Sequence, residues 1–167
     1  DQHQLMGRTI GIIGLGHVGE AIAHMALAYK MNVLYTGPHR KPEWEERGLV
    51  YCDSIELANQ SDIIVLSAPT NVQVMATEEF KATKPGSILV QTSSGTPFDK
   101  RAFFDWIAND GNFAIFDKSA GEENYQEYKN IPRIIFSEKI AGDTYETDER
   151  RGKAVVTNLV SYLATTS

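Results

Sequence analysis

Residues 9–15 form an almost unbroken apolar run, the pattern of a strand buried on both faces rather than one whose faces alternate. From Val18, apolar side chains recur at Ile22, Met25, Ala26 and Tyr29, which predicts one buried face of a helix. Further strands are predicted over 32–36, 49–51, 62–67, 87–91, 112–116 and 133–136. Between them, Asp53 with Glu56 three positions on has the form of a helix-opening capping box. A short helix over 78–82 should stop at Lys84-Pro85-Gly86. Asp99 is placed to cap a helix bearing Ala102, Phe103, Trp106 and Ile107, which Asn109-Asp110-Gly111 ends. Asp143 with Glu146 resembles a second capping box, ahead of a closing helix with an apolar stripe of Val155, Val156, Leu159, Val160 and Leu163.

Strands that alternate with helices predict an α/β domain with a doubly wound parallel sheet, covered by helices on both faces. Ligands of such sheets bind beyond the carboxyl ends of the strands, where the strand order reverses. The loops after Leu15, Thr36, Ser67, Gln91, Phe116 and Phe136 are therefore the ones to read for chemistry. The whole chain, 1–167, reads as one domain, with a core over 5–142 and the closing helix over 143–167.

Composition narrows the function. At 167 residues, 42% apolar and 23% charged, the chain suits one globular core and excludes disorder, collagen and coiled coil. A net charge of −6 removes the basic footprint of a nucleic-acid binder. With Cys52 as the single cysteine, no intrachain disulfide or cysteine-based zinc site can form, and no metal site is expected. A reducing compartment, the cytoplasm, is the expectation. No run approaches the ~18 apolar residues of a membrane span. The polar opening Asp1-Gln2-His3-Gln4-Leu5 reads as the end of a linker or a domain excision.

Gly14-Leu15-Gly16-His17-Val18-Gly19 is GxGxxG at the end of a strand and the mouth of a helix, the context the dinucleotide (Rossmann) fingerprint requires. Gly14 permits the tight turn, Gly16 lets backbone approach a diphosphate, and Gly19 lets helix and strand pack closely. Amides of the first helical turn then face the phosphates with the positive end of the helix dipole. His17 is expected to face solvent at this loop.

An acidic residue about twenty positions after the fingerprint's start usually binds the adenosine ribose. Here that place holds Thr36 and Gly37, and no carboxylate follows until Glu43, while Arg40 and Lys41 stand where a 2′-phosphate would lie. Charge-assisted bonds of about 1.5–3 kcal/mol each would favour NADP over NAD. The same residues also suit a solvated basic loop. The missing carboxylate counts against an S-adenosylmethionine methyltransferase, which also begins with a glycine-rich loop.

The stretches 7–19 (GRTIGIIGLGHVG), 61–70 (SDIIVLSAPT), 84–95 (KPGSILVQTSSG) and 140–144 (IAGDT) resemble, in order and spacing, the D-isomer-specific 2-hydroxyacid dehydrogenases. The resemblance implies the nucleotide-binding domain of that family, with the substrate domain absent from this chain. It implies hydride exchange between a nicotinamide cofactor and a small 2-keto or 2-hydroxy acid, and homodimers formed largely through this domain. It also sets Ala68, Pro69, Thr92, Ser93, Asp117 and Gly142 beside the cofactor, with Thr92 and Ser93 shaping their loop.

The family's catalytic arginine, histidine and glutamate carry over only in part. Ser94, before Gly95, stands where the arginine would be and offers one hydroxyl instead of a bidentate cation. Lys139 stands where the histidine precedes Ile-Ala-Gly, and could donate a proton if desolvation lowered its pKa. Glu122 keeps the family's offset from Asp117, with Glu123 beside it as the alternative. A Lys139 and Glu122 pair would replace the histidine and glutamate. A cofactor-binding module without turnover, a sensor or assembly surface, is the rival reading. Among the remaining features, Cys52 is expected to be a buried small hydrophobe, and Phe103, Phe104 and Trp106 core or dimer surface. Tyr125, Tyr128 and Lys129 fall in a predicted surface loop.

Overall fold

Seven parallel strands, β1 (Thr9–Ile13), β2 (Asn32–Thr36), β3 (Val50–Tyr51), β4 (Ile63–Leu66), β5 (Ile88–Gln91), β6 (Phe113–Phe116) and β7 (Ile134–Phe136), form one sheet in the order β3-β2-β1-β4-β5-β6-β7. The computed structural model describes residues 4–70, 72–109 and 111–165. Asp1, Gln2, His3 and Asp110, which entered the sequence reading, and the last two residues of its closing helix, Thr166 and Ser167, lie outside the described residues. The helices are α1 (His17–Ala28), α2 (Pro42–Glu45), α3 (Ser54–Gln60), α4 (Thr77–Ala82), α5 (Lys100–Ile107), α6 (Glu122–Tyr128) and α7 (Tyr145–Thr165), with a 3-10 turn at Lys118–Ala120. The chain runs outward from β1 to β3, then returns to β4 on the other side of β1, so the order reverses between β1 and β4.

Two cores flank the sheet. On one face Leu57 and Ala58 of α3, Phe80 of α4, Phe103 and Trp106 of α5 and Tyr128 of α6 pack over Ile64, Leu66, Leu89, Ala114 and Phe116. On the other, Ala23 and Ala26 of α1 and Trp44 of α2 cover Ile10, Ile12, Val33, Tyr35 and Val65. Asp53 and Asp99 cap α3 and α5 as their positions predict, accepting from Glu56 N and Ala102 N at 2.8 Å each.

Four expectations need correction. The buried face of α1 is Gly19, Ala23 and Ala26, while Val18, Met25 and Tyr29 are more than half exposed. The small residues let the helix lie close on the sheet, and that approach turns the larger side chains outward. Residues 122–128 are helix, not loop, and Tyr128 is fully buried with its ring 5.5 Å from Phe103 and 5.3 Å from Phe116. Helix α7 forms, but Thr144 rather than Asp143 caps it, accepting from Thr147 N at 3.2 Å. None of its described residues is buried, and its predicted stripe is wholly exposed. Phe113, Ile115 and Ile135 are exposed as well, so helices cover the second face over the β1 half of the sheet and leave it open at β6 and β7.

Candidate functional site

Parallel register gathers the strand ends on one edge. Ile13 pairs with Thr36 and with Leu66, and Leu66 with Gln91, so the residues that follow, Gly14, Gly37, Ser67 and Thr92, emerge together. Phe116 pairs with Phe136 and adds Asp117 and Ser137 to the edge. Backbone bonds extend the ladder into these loops: Gly14 N to Thr36 O and Thr92 N to Leu66 O at 3.0 Å, and Ser67 N to Ile13 O and Ser137 N to Phe116 O at 2.9 Å.

Gly14 has φ +96°, and a Cβ there would lie 2.8 Å from Ser67 O and 3.0 Å from Ala68 N. The glycine turn is thus pressed against the loop after β4, with buried Ala68 as its wall and Pro69 exposed beyond. A Cβ on Gly19 would overlap the Gly14 carbonyl oxygen, whereas one on Gly16 would meet nothing within 4 Å. Gly16 is the extended N-cap of α1, and no side chain among the described residues caps the helix there. His17 and Val18 are exposed, so the amides of the first turn sit at an open surface. Unsatisfied helix-start amides on an exposed backbone suit an anionic diphosphate.

The loop after β2 hangs on the buried Tyr35. Its hydroxyl donates to Glu45 Oε1 and accepts from Lys41 N, both at 2.7 Å. Glu45 in turn receives Arg40 through two nitrogens, Nε at 3.0 Å and Nη2. Lys41 is paired with Glu20 of α1. The Arg40 guanidinium also lies 5.4 Å over the Tyr51 ring. Hydrogen bonds from Arg40 and then Tyr35 hold the Glu45 carboxyl below its usual range, and the bond from Lys41 does the same for Glu20. Burial, first, and the Glu45 carboxylate raise the Tyr35 phenol. Both predicted 2′-phosphate cations therefore already have carboxylate partners, Glu45 and Glu20, which the sequence reading missed. Glu20 lies in another element, and Glu45 follows the helix-opening Pro42.

The loop after β5 is held by two amides that sequence reading also missed. Gln91 Nε2 donates to Ser93 O at 2.8 Å and to Gly95 O at 2.6 Å. Asn124 Nδ2, from α6, donates to Gly95 O at 3.3 Å, Thr96 Oγ1 at 2.9 Å and Ala120 O at 2.7 Å. A buried amide closing an apolar strand was the available signal at Gln91; Asn124 gave none. Thr92 Oγ1 lies 2.9 Å from Ser67 Oγ and donates to Leu66 O, which fits its loop-shaping role. Ser93 is buried and its hydroxyl has no hydrogen-bond partner among the described residues, whereas Ser94 is exposed.

Asp117 caps the 3-10 turn through Ser119 N at 2.9 Å and fixes the next loop by accepting from Ala141 N at 2.8 Å. Lys118 N donates to Lys139 O at 3.2 Å, so the Lys139 backbone is tied beside Asp117. The Lys139 side chain is exposed, and among the described residues no ion pair or hydrogen bond joins it to Glu122 or Glu123. Glu122 instead accepts from Gln126 Nε2 at 2.6 Å along its own helix, and Glu123 lies 3.8 Å from Lys100. Gly142 sits in the exposed turn closed by Asp143 N to Ile140 O. Cys52 is buried, and burial pushes its thiol up to about 11, the state of an inert cysteine. The described residues contain no group of three potential metal ligands and no helix long and apolar enough to cross a membrane.

Sheet order, glycine turn and open helix start define a dinucleotide-binding domain of the Rossmann type. Residues 1–140 match the model of the D-isomer specific 2-hydroxyacid dehydrogenase NAD binding domain, and the chain belongs to that family of nicotinamide-dependent oxidoreductases. It is 32% identical over 169 residues to a glyoxylate reductase of Thermococcus litoralis, which covers 95% of this chain and 50% of that protein. A putative 2-hydroxyacid dehydrogenase of Staphylococcus aureus is 33% identical over 164 residues, 95% of this chain and 52% of the other. The D-lactate dehydrogenase of Aquifex aeolicus, solved with NAD and lactic acid, shares the fold at a TM-score of 0.80 and 23% identity, over 98% of this chain and 55% of that one. The chain spans about half the length of the curated relatives it matches, and the substrate domain is not in it.

Proposed function

We propose that this chain is the NADP-binding part of a dehydrogenase that reduces a small 2-keto acid. The observation that carries this reading is the glycine turn, where backbone contact forbids side chains at Gly14 and Gly19 while Gly16 stays open before an uncapped helix. The residues present fit the coenzyme: the amides of His17, Val18 and Gly19 hold the diphosphate, and Thr36, Ala68, Pro69, Thr92, Ser93 and Gly142 line the rest. When bound, the coenzyme supplies the hydride that the carbonyl carbon accepts. Arg40 and Lys41 bind the 2′-phosphate, so NADP is preferred and NAD is still accepted. Asp117, fixed by Ser119 and Ala141, holds the backbone at the nicotinamide end. Lys139 gives its proton to the carbonyl oxygen, Glu122 steadies the lysine, and Ser94 donates to the substrate. The name of the Thermococcus relative, a glyoxylate reductase, supports a small 2-keto acid as the substrate class.

In this reading, 5–142 form the coenzyme core, 143–167 lead back to a substrate-binding part, the protein works as a homodimer, and its place is the cytoplasm. Lys139 needs a covering wall that strips water from it and brings it to Glu122. The exposure of Lys139, unjoined to Glu122, favours a second reading: a coenzyme-binding module without turnover. Calorimetry with NADPH and NADH, together with oxidation of each by a panel of 2-keto acids, separates the two. Coenzyme binding by the chain, with turnover by a protein that also carries the substrate-binding part and loses it on Lys139→Ala, supports the enzyme, and binding without turnover on any acid by that longer protein supports the module. If the native chain binds neither coenzyme, both readings fail.

A further inference from the structure

Arg40 and Lys41, assigned above to the 2′-phosphate, are both occupied by carboxylates of the chain itself. Glu45 takes Arg40 along the Nε and Nη2 edge, the edge that grips a planar carboxylate or a phosphate bidentately. Glu20 takes Lys41. These are built contacts rather than chance encounters of surface side chains, because the Tyr35 hydroxyl, at the end of a fully buried ring, fixes Glu45 and the Lys41 backbone from beneath. Tyr51, which the guanidinium overlies, also donates to Gly37 O at 3.2 Å, so the loop is tied at both ends. Arg40 remains mostly exposed, its side chain at 64%, so an incoming anion can reach it.

We propose that Glu45, with Glu20 in the same role on Lys41, determines the coenzyme discrimination of this chain by acting as an internal anion that a 2′-phosphate must displace. This rests on the NADP reading above and deepens it. NADH, which carries no phosphate at that position, leaves both ion pairs in place, whereas NADPH breaks them and exchanges two carboxylates for one phosphate of about −1.5 to −2 charge, so the cations gain little net charge for the pairs lost. The two acids therefore lower the affinity for NADPH and leave that for NADH alone.

Glu45→Gln keeps an acceptor for the Tyr35 hydroxyl and removes the charge opposing the phosphate. Titration calorimetry of the chain should show NADPH binding tightened roughly three- to fivefold, the range of an exposed but bidentate ion pair, with NADH unchanged within about twofold. The gain should vanish in the double variant Arg40→Ala and Glu45→Gln, a coupling that a loss of loop structure would not produce. Glu20→Gln, on a different element, should repeat the result and depend in the same way on Lys41. The inference is overturned if Glu45→Gln leaves NADPH binding unchanged, weakens it, or tightens NADH equally. A wild-type chain that binds both coenzymes alike, with Arg40→Ala silent, removes the NADP reading and the inference together. Loss of NADPH affinity in Arg40→Ala beside a silent Glu45→Gln removes the inference alone.

Discussion

Gly19 lies so close beneath Gly14 that a Cβ on the first would overlap the carbonyl oxygen of the second, with Ile12 Cγ2 only 3.2 Å away. Helix α1 and strand β1 are joined at this contact, and neither the carbonyl nor the buried Ile12 can yield cheaply. Gly19→Ala should therefore destabilise the chain by about 1–3 kcal/mol, as overpacking does, and weaken coenzyme binding with it. Gly16→Ala meets nothing within 4 Å. It should leave the urea midpoint nearly unchanged while lowering coenzyme affinity, because in the proposed binding mode the diphosphate approaches the backbone at this open glycine. Denaturation and calorimetry on the two variants test the division of labour; equal loss of stability in both would contradict it.

Gly11 sits inside β1, where a glycine normally weakens a strand. Here α3 crosses it so closely that a Cβ would overlap Ser61 Oγ and Leu57 Cδ2. Leu57 and Ser61 are both fully buried, and Ser61 Oγ is engaged with Leu57 O at 2.7 Å. Gly11→Ala should cost about 1–3 kcal/mol despite the better strand propensity of alanine. A neutral or stabilising change in the unfolding midpoint would show that the α3 contact yields.

The strands were legible because burial on both faces leaves continuous apolar runs, and the glycine turn because its backbone geometry admits little else. Periodicity misjudged α1, since Gly19, Ala23 and Ala26 carry too little apolar weight to mark a face that is buried by close approach. Helix α6 was missed because Glu122, Glu123, Gln126 and Glu127 crowd a segment whose burial rests on Asn124 and Tyr128. The loops that gather at the strand ends were legible from the strand pattern, but not the partners of their charges. Glu45 and Glu20 meet Arg40 and Lys41 only through the fold, and so does the tie from Asn124 to Gly95.

Phe103 and Leu159 are both large apolar residues on predicted helical stripes, yet Phe103 is fully buried and Leu159 is 56% exposed. Phe103 packs against Phe98, Trp106, Phe116 and Tyr128. Phe103→Ala should cost about 3–5 kcal/mol, as a large cavity in an aromatic core does. Leu159→Ala should fall within about 0.5 kcal/mol of wild type in the dilute chain. Unfolding curves for the two variants check this, and a large loss at Leu159 would mean that its stripe is covered in solution.

Asp62, just ahead of β4, ties the sheet at the edge opposite the coenzyme loops. Its carboxylate accepts from Thr9 N at 2.8 Å and Lys84 Nζ at 3.1 Å, with Arg8 Nη1 at 3.8 Å. Burial pushes its carboxyl up, but the Thr9 amide, Lys84 and Arg8 together outweigh burial and leave it below the ordinary value. An unfolded aspartate titrates near pH ~3.9. Because the folded value is lower, the unfolded chain binds more protons around that pH, and the stabilisation is full above it and lost as pH falls through the folded value. Asp62→Asn should cost about 1–2 kcal/mol at pH 7, an allowance for a partly exposed group bonded to cations. The gap between wild type and variant should narrow as pH drops below ~4. Urea unfolding of both proteins at a series of acidic pH values measures that gap, and a gap that stays constant to the lowest pH would place the stabilising role of Asp62 elsewhere than in its charge.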